Sequence, residues 1–138
     1  MSWTEKMKEF GGGDLAFLSE DGETIRFVVC AEPVLLEGKY KGKPSVKIGC
    51  PIVTEDGFVL FIAGKRLARK ISKHEADFDR LAFIAIRHGE QNDITASYDL
   101  QELVDNDLTL KLFEMRGIEF NPQVLAEAIE SALSVMQG

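Results

Sequence analysis

The sequence predicts an α+β protein with an all-β core: five strands, a helix between the third and fourth, and two further helices toward the C-terminal end. Three observations carry that prediction. Five stretches have the β-branched and aromatic composition, or the two-residue alternation, of strands, and glycine-bearing turns separate most of them. One stretch between the third and fourth of these switches to a helical apolar period. Two later stretches have helical periodicity and open on residues that cap helices, the second with proline at its first position. The chain divides accordingly into 1–13, a helix and glycine linker; 14–103, the β core; and 104–138, a helical extension.

Taken in order, Trp3, Met7 and Phe10 fall on one face of a helix over residues 2–10, which Gly11-Gly12-Gly13 ends. Asp21-Gly22 supplies a turn into a first strand from Thr24 to Leu36, with a bend or bulge expected at Pro33. Gly38-Lys39-Tyr40-Lys41-Gly42-Lys43-Pro44 reads as a glycine-bounded loop. The second strand, Ser45–Val53, alternates Val46, Ile48 and Cys50 with Ser45, Lys47 and Gly49, which turns Lys47 away from the core. Glu55-Asp56-Gly57 turns the chain into a third strand, Phe58–Ala63. Both parities of that strand are apolar, so Phe61 has two readings: a core ring, or an outward one beside Lys47.

From Gly64 to Phe78, Leu67, Ile71, His74 and Phe78 form one stripe of a helix, and Arg66, Arg69, Lys70 and Lys73 form a separate basic stripe. Leu81–His88 is the fourth strand, residues 89–93 a turn, and Ile94–Leu103 the fifth strand, with Tyr98 and Leu100 in its apolar parity. Asn106 or Asp107 caps the next helix, which Gly117 ends. Asn121-Pro122 opens the last, running to about Met136 with Leu125, Ile129, Ala132, Leu133 and Met136 on its apolar face.

Charge is segregated along this order. The segment from Gly38 to His88 holds eleven Lys/Arg and five Asp/Glu, a surplus of +6, whereas the rest of the chain holds five and eighteen, giving −13 and a net charge of −7. An acidic protein repels polyanions at long range, but one basic surface attracts a phosphate backbone locally. No apolar run approaches the roughly 18 residues that span a bilayer, and the first residues lack a signal-peptide core, so a cytoplasmic protein is expected. Cys30 and Cys50 sit in apolar runs and read as reduced core thiols. His74 and His88 give no zinc spacing with them, and no cofactor motif is present. Arg87-His88-Gly89 resembles the phosphate-handling motif of histidine phosphatases, but those enzymes need a second catalytic histidine downstream, and His74 lies upstream. The chain is read as non-enzymatic, with that enzyme class as the different-class alternative.

Strand-strand-strand-helix-strand-strand is the order of the OB-fold, a five-stranded Greek-key barrel that binds oligonucleotides on its strand 2–3 face and through its 1–2 and 4–5 loops. The stretch from about Glu23 to Leu100, with Glu37-Gly38-Lys39-Tyr40-Lys41-Gly42-Lys43-Pro44, Glu55-Asp56-Gly57-Phe58 and Ile94-Thr95-Ala96-Ser97-Tyr98-Asp99-Leu100, resembles the OB-fold single-stranded-DNA-binding proteins of tailed bacteriophages. The resemblance implies a protein that coats single-stranded DNA without sequence preference in replication and recombination. The residues read as binding, from charge and from their places in that strand order, are Lys39, Tyr40, Lys41 and Lys43 in the 1–2 loop, Lys47 and Phe61 on the strands, Lys65, Arg66, Arg69, Lys70 and Lys73 on the helix, and Arg87 and His88 before the 4–5 loop. Tyr40, set between lysines, is the expected stacking ring. An OB-like module for an acidic protein partner is the alternative, and it would need the charges without the ring. The chain departs from that family in its last residues, Ser134-Val135-Met136-Gln137-Gly138, which read as helix where many members carry an acidic tail. The last helices carry a surplus of acids. They are expected either to contact protein, a second copy or a replication partner, or to pack over the barrel.

Overall fold

The computed structural model describes residues 15–40, 42–90 and 95–137, with backbone alone for Tyr40 and Gln137. The helix expected over 2–10 and the glycine linker lie outside the described residues. Within them are seven strands, β1 (Leu15–Ala16), β2 (Thr24–Val29), β3 (Val34–Tyr40), β4 (Lys43–Thr54), β5 (Gly57–Ala63), β6 (Phe83–His88) and β7 (Ser97–Glu102). Three α-helices accompany them, α1 (Lys65–Ser72), α2 (Asn106–Glu119) and α3 (Pro122–Gln137), with a 3-10 turn at Glu75–Asp77. No helix among the described residues is long and apolar enough to cross a membrane.

The α+β class stands, but a closed five-stranded barrel does not form. The sheet runs β1-β5-β4-β2-β6-β7, with β3 also paired to β4, and it is open: β1 lies parallel along the outer edge of β5, and β7 ends the other side. The expected first strand is two. Pro33 has no N–H to donate to a ladder, so pairing lapses between Val29, opposite Ile52, and Val34, opposite Gly49, and both pieces line one edge of β4. β2 also pairs with β6 over Thr24–Phe27, which links the two halves of the sheet.

Both faces of the sheet are covered. On one, Phe27, Val29, Cys50, Ile52, Phe61, Phe83 and Ala85 pack with Leu67 and Ile71 of α1. Phe78 meets the Phe83 ring edge-on at 6.2 Å and the His74 ring lies 5.1 Å from it, so the tail of the predicted helical stripe is apolar contact although the α-helix itself stops at Ser72. On the other face, Leu36, Leu60 and Ile62 lie under Ala128, Ala132 and Met136 of α3, while Val28 and Val53 lie under Leu108 and Leu112 of α2.

The capping expectations hold for α3, where the Asn121 side chain accepts from Val124 N at 3.0 Å. For α2 the cap is Asp105, one residue earlier than expected, accepting from Leu108 N, and the helix continues through Gly117. Arg116 fastens α2 to the core by donating to the Val29 and Phe78 carbonyls and pairing with Asp79 at 3.0 Å.

Candidate nucleic-acid interface

α1 positions the largest group of cations. Leu67 and Ile71 anchor one side of the helix in the core, which fixes the rest of its circumference outward. At about 100° per residue, Lys65, Arg66, Arg69, Lys70 and Lys73 then cover an arc of about 140° on the exposed side, and all five are exposed. Lys70 donates to the Tyr98 carbonyl of β7. The side chains of Lys65, Arg66, Arg69 and Lys73 make no hydrogen bond or ion pair with any described residue; the Arg–carboxylate pairs among the described residues lie at Arg26–Glu55, Arg80–Asp77 and Arg116–Asp79. In a chain with seven more acids than bases, no carboxylate among the described residues pairs with this surface.

The helix also works against its own dipole. Its first four N–H groups make its N-terminus positive, yet Lys65 and Arg66 occupy the first two positions, the first turn has no acid, and Gly64 offers no capping side chain. A bound anion relieves both faults at once.

The hairpin contributes less than the sequence implies. What reads as a loop from Gly38 to Pro44 is mostly strand: Lys39 pairs with Pro44 and Tyr40 with Lys43, and Gly42 between them takes φ 77°. Lys41 lies outside the described residues, as does the Tyr40 side chain. Alternation along the paired strands divides the lysines. Lys39 shares the α1 side with Leu35 and Ile48; Lys43 and Lys47 share the α3 side with Leu36, opposite which Lys47 sits half-buried. Glu37, also exposed, lies between Leu35 and Lys39 on the α1 side.

Beyond Lys43 and Lys47, two predicted residues are buried and leave the candidate surface. Phe61 is 1% exposed, opposite Cys50 and 6.1 Å from the Phe27 ring, so of its two readings the core one holds. Leu60 and Ile62, the other parity, are buried under α3. The strand is apolar on both parities because both of its faces are covered. Arg87 is 9% exposed: Nε donates to Gly89 O, Nη2 to Glu90 O, and Nη1 to Tyr98 Oη at 2.7 Å and to Leu18 O. Its guanidinium holds the β6–β7 connection together and is spent there. His88 points to the opposite face, exposed, with Nε2 2.8 Å from Asp99 Oδ2. Arg87 and His88 therefore do not converge on one phosphate.

Between α1 and the β3–β4 hairpin lies an open groove of about 400 Å³, with Leu35, Ile48 and Ala68 as floor and Lys65 and Arg69 on its rim. Leu35 is exposed there. Sequence reasoning missed this feature, because Leu35 looks like any other strand residue until its neighbours are known. Next to it, Cys50 lines a smaller cavity of about 80 Å³. Burial pushes the Cys50 thiol up to about 11 and the Cys30 thiol up to about 12, the latter partly offset by Arg116, so neither is a nucleophile at neutral pH. No family model, curated protein or solved structure matches the chain.

Proposed function

We propose that this protein binds single-stranded nucleic acid, single-stranded DNA first, without reading its sequence, in the service of DNA replication or recombination. The observation that carries the reading is the stripe of cations on α1, of which Lys65, Arg66, Arg69 and Lys73 have no partner among the described residues. Lys39 extends that surface along the hairpin.

The strand order adds support. With β2 and β3 taken as one strand interrupted at Pro33, the pairings of β4, β5, β6 and β7 follow the order of an OB-fold opened between β5 and β7. α1 spans that opening, packing on β4 and bonding to β7 through Lys70. We read the domain as an opened member of that architecture. The face such folds use most, on strands 2 and 3, corresponds here to β4 and β5 and lies under α2 and α3, so the nucleic acid is assigned to the α1 side.

Among the described residues no exposed aromatic ring flanks the α1 stripe, so phosphate contacts dominate and affinity falls steeply with salt. Each phosphate neutralised on a single strand contributes about 0.7 to the slope of log affinity against log salt. Replacing Arg66, Arg69 and Lys73 together with Gln removes about 2 from that slope and weakens binding to every sequence alike. An unchanged slope in the triple variant would remove α1 from the site and leave the acidic-partner reading, tested by the same variant against an acidic peptide.

A further inference from the structure

α2 has apolar side chains on two sides. Leu108 and Leu112 are buried against the sheet, while Leu110 and Ile118, on the far side, are 69% and 73% exposed. Leu110, Glu114, Gly117 and Ile118 recur at i, i+4, i+7 and i+8, so they form one outward stripe, with Asp107 beside Leu110 one turn earlier and Lys111 the base on its flank. Among the described residues, no element packs over the two aliphatic anchors of this stripe, which stand among carboxylates.

The groove between α1 and the hairpin is its complement. Its floor is aliphatic, Leu35 on it is 66% exposed, and its rim is Lys65 and Arg69, neither paired to a carboxylate among the described residues. Aliphatic anchors fit that floor better than nucleic-acid bases do, since no described residue gives the groove a ring on which a base can stack. The two surfaces match in both respects that recognition uses: apolar against apolar, acidic against basic. They cannot meet within one molecule, because α1 packs on one face of the sheet and α2 on the other.

We propose that the Leu110–Ile118 stripe of α2 seats in the α1–hairpin groove of a second copy of this chain. The contact joins two different patches, so each copy keeps one of each unused and the arrangement propagates head to tail instead of closing as a dimer. Two aliphatic anchors and a few rim charges make a small interface, below the roughly 1,200 Å² of stable complexes. Association is therefore weak in free solution and becomes strong only where copies are held side by side, as on a shared strand, at effective concentrations of order millimolar. Arg66 and Lys73, turned away from the groove, stay open for phosphate. The contact is measured on protein alone and does not rest on the nucleic-acid reading.

The test is sedimentation of the full chain from about 10 µM to about 1 mM at low and high salt. The expected result is a weight-average mass that climbs past that of a dimer with concentration and falls as salt screens the rim pairs. Leu110→Glu and Arg69→Glu, both at exposed positions, each return the protein to monomer while circular dichroism shows it still folded. Mixed together they form dimers and nothing larger, since Arg69→Glu retains an intact α2 stripe and Leu110→Glu an intact groove. A chain that stays monomeric at 1 mM, one that stops at a dimer, or a pair of variants that do not associate when mixed would each overturn the proposal.

Discussion

Arg66→Glu tests whether the α1 cations are kept for a ligand or for the fold. Arg66 is exposed at the second position of α1, at the positive end of the helix dipole, without a partner among the described residues. A cation there costs, and an anion gains, about 0.3–1 kcal/mol each at an exposed site. The reversal therefore stabilises the protein by about 1 kcal/mol. For a chain of 138 residues, that raises the melting temperature by about 3 °C. The same substitution replaces an attraction for phosphate with a repulsion, so affinity for oligo-dT falls while the fold strengthens. Thermal melting by circular dichroism at low and high salt reads the first effect, and the gain shrinks as salt rises. A melting temperature that drops, with affinity for oligo-dT intact, would refute the reasoning, because it would show that Arg66 serves the fold through a contact and not the ligand.

Three further outcomes follow from the packing. Phe61→Ala removes a fully buried ring and costs about 3–5 kcal/mol, seen as a lowered urea midpoint, while the folded fraction keeps its affinity for oligo-dT. Gly38→Ala places a Cβ 2.7 Å from Met136 Cβ, so the last turn of α3 must shift off the hairpin; overpacking of this kind costs about 1–3 kcal/mol, and an unchanged melting temperature would mean that α3 moves freely there. Cys50, pushed up to about 11 by burial from an ordinary 9.0, holds its proton longer folded than unfolded. Below about pH 9 the thiol leaves stability unchanged, and from there toward 11 it takes off about 1.4 kcal/mol per pH unit; Cys30, raised likewise to about 12, adds a similar slope, so Cys50→Ala removes about half of the fall over that range.

What was legible in the sequence was mostly what local periodicity encodes. The stripe of α1 follows from a 3.6-residue period, and it folds as read, with Leu67 and Ile71 inward. Asn121-Pro122 marks the start of α3 by the chemistry of a cap. The failures lie where one residue type serves two purposes. Gly38 and Gly42 look alike as loop glycines, but only Gly42 has a positive φ; Gly38 is a strand residue kept small by Met136 lying against it. Arg87 counts toward a basic segment as Lys73 does, and only the fold reveals that Leu18, Gly89, Glu90 and Tyr98 surround it with acceptors. Phe61 was undecidable because its strand is covered on both faces. The division of Lys39 from Lys43 and Lys47 depends on cross-strand register, which a hairpin sets through its turn and which a loop reading cannot supply.

The most direct measurement is fluorescence anisotropy of the unaltered chain with a labelled oligo-dT, a duplex and an RNA of matched length, each at two salt concentrations. Binding along α1 predicts that the single strands bind, that affinity falls with salt at about 0.7 per phosphate contacted, and that the duplex, whose rigid backbone cannot follow a short helix and hairpin, binds more weakly than oligo-dT. No binding to either single strand at the lower salt, or binding that ignores salt, would contradict it.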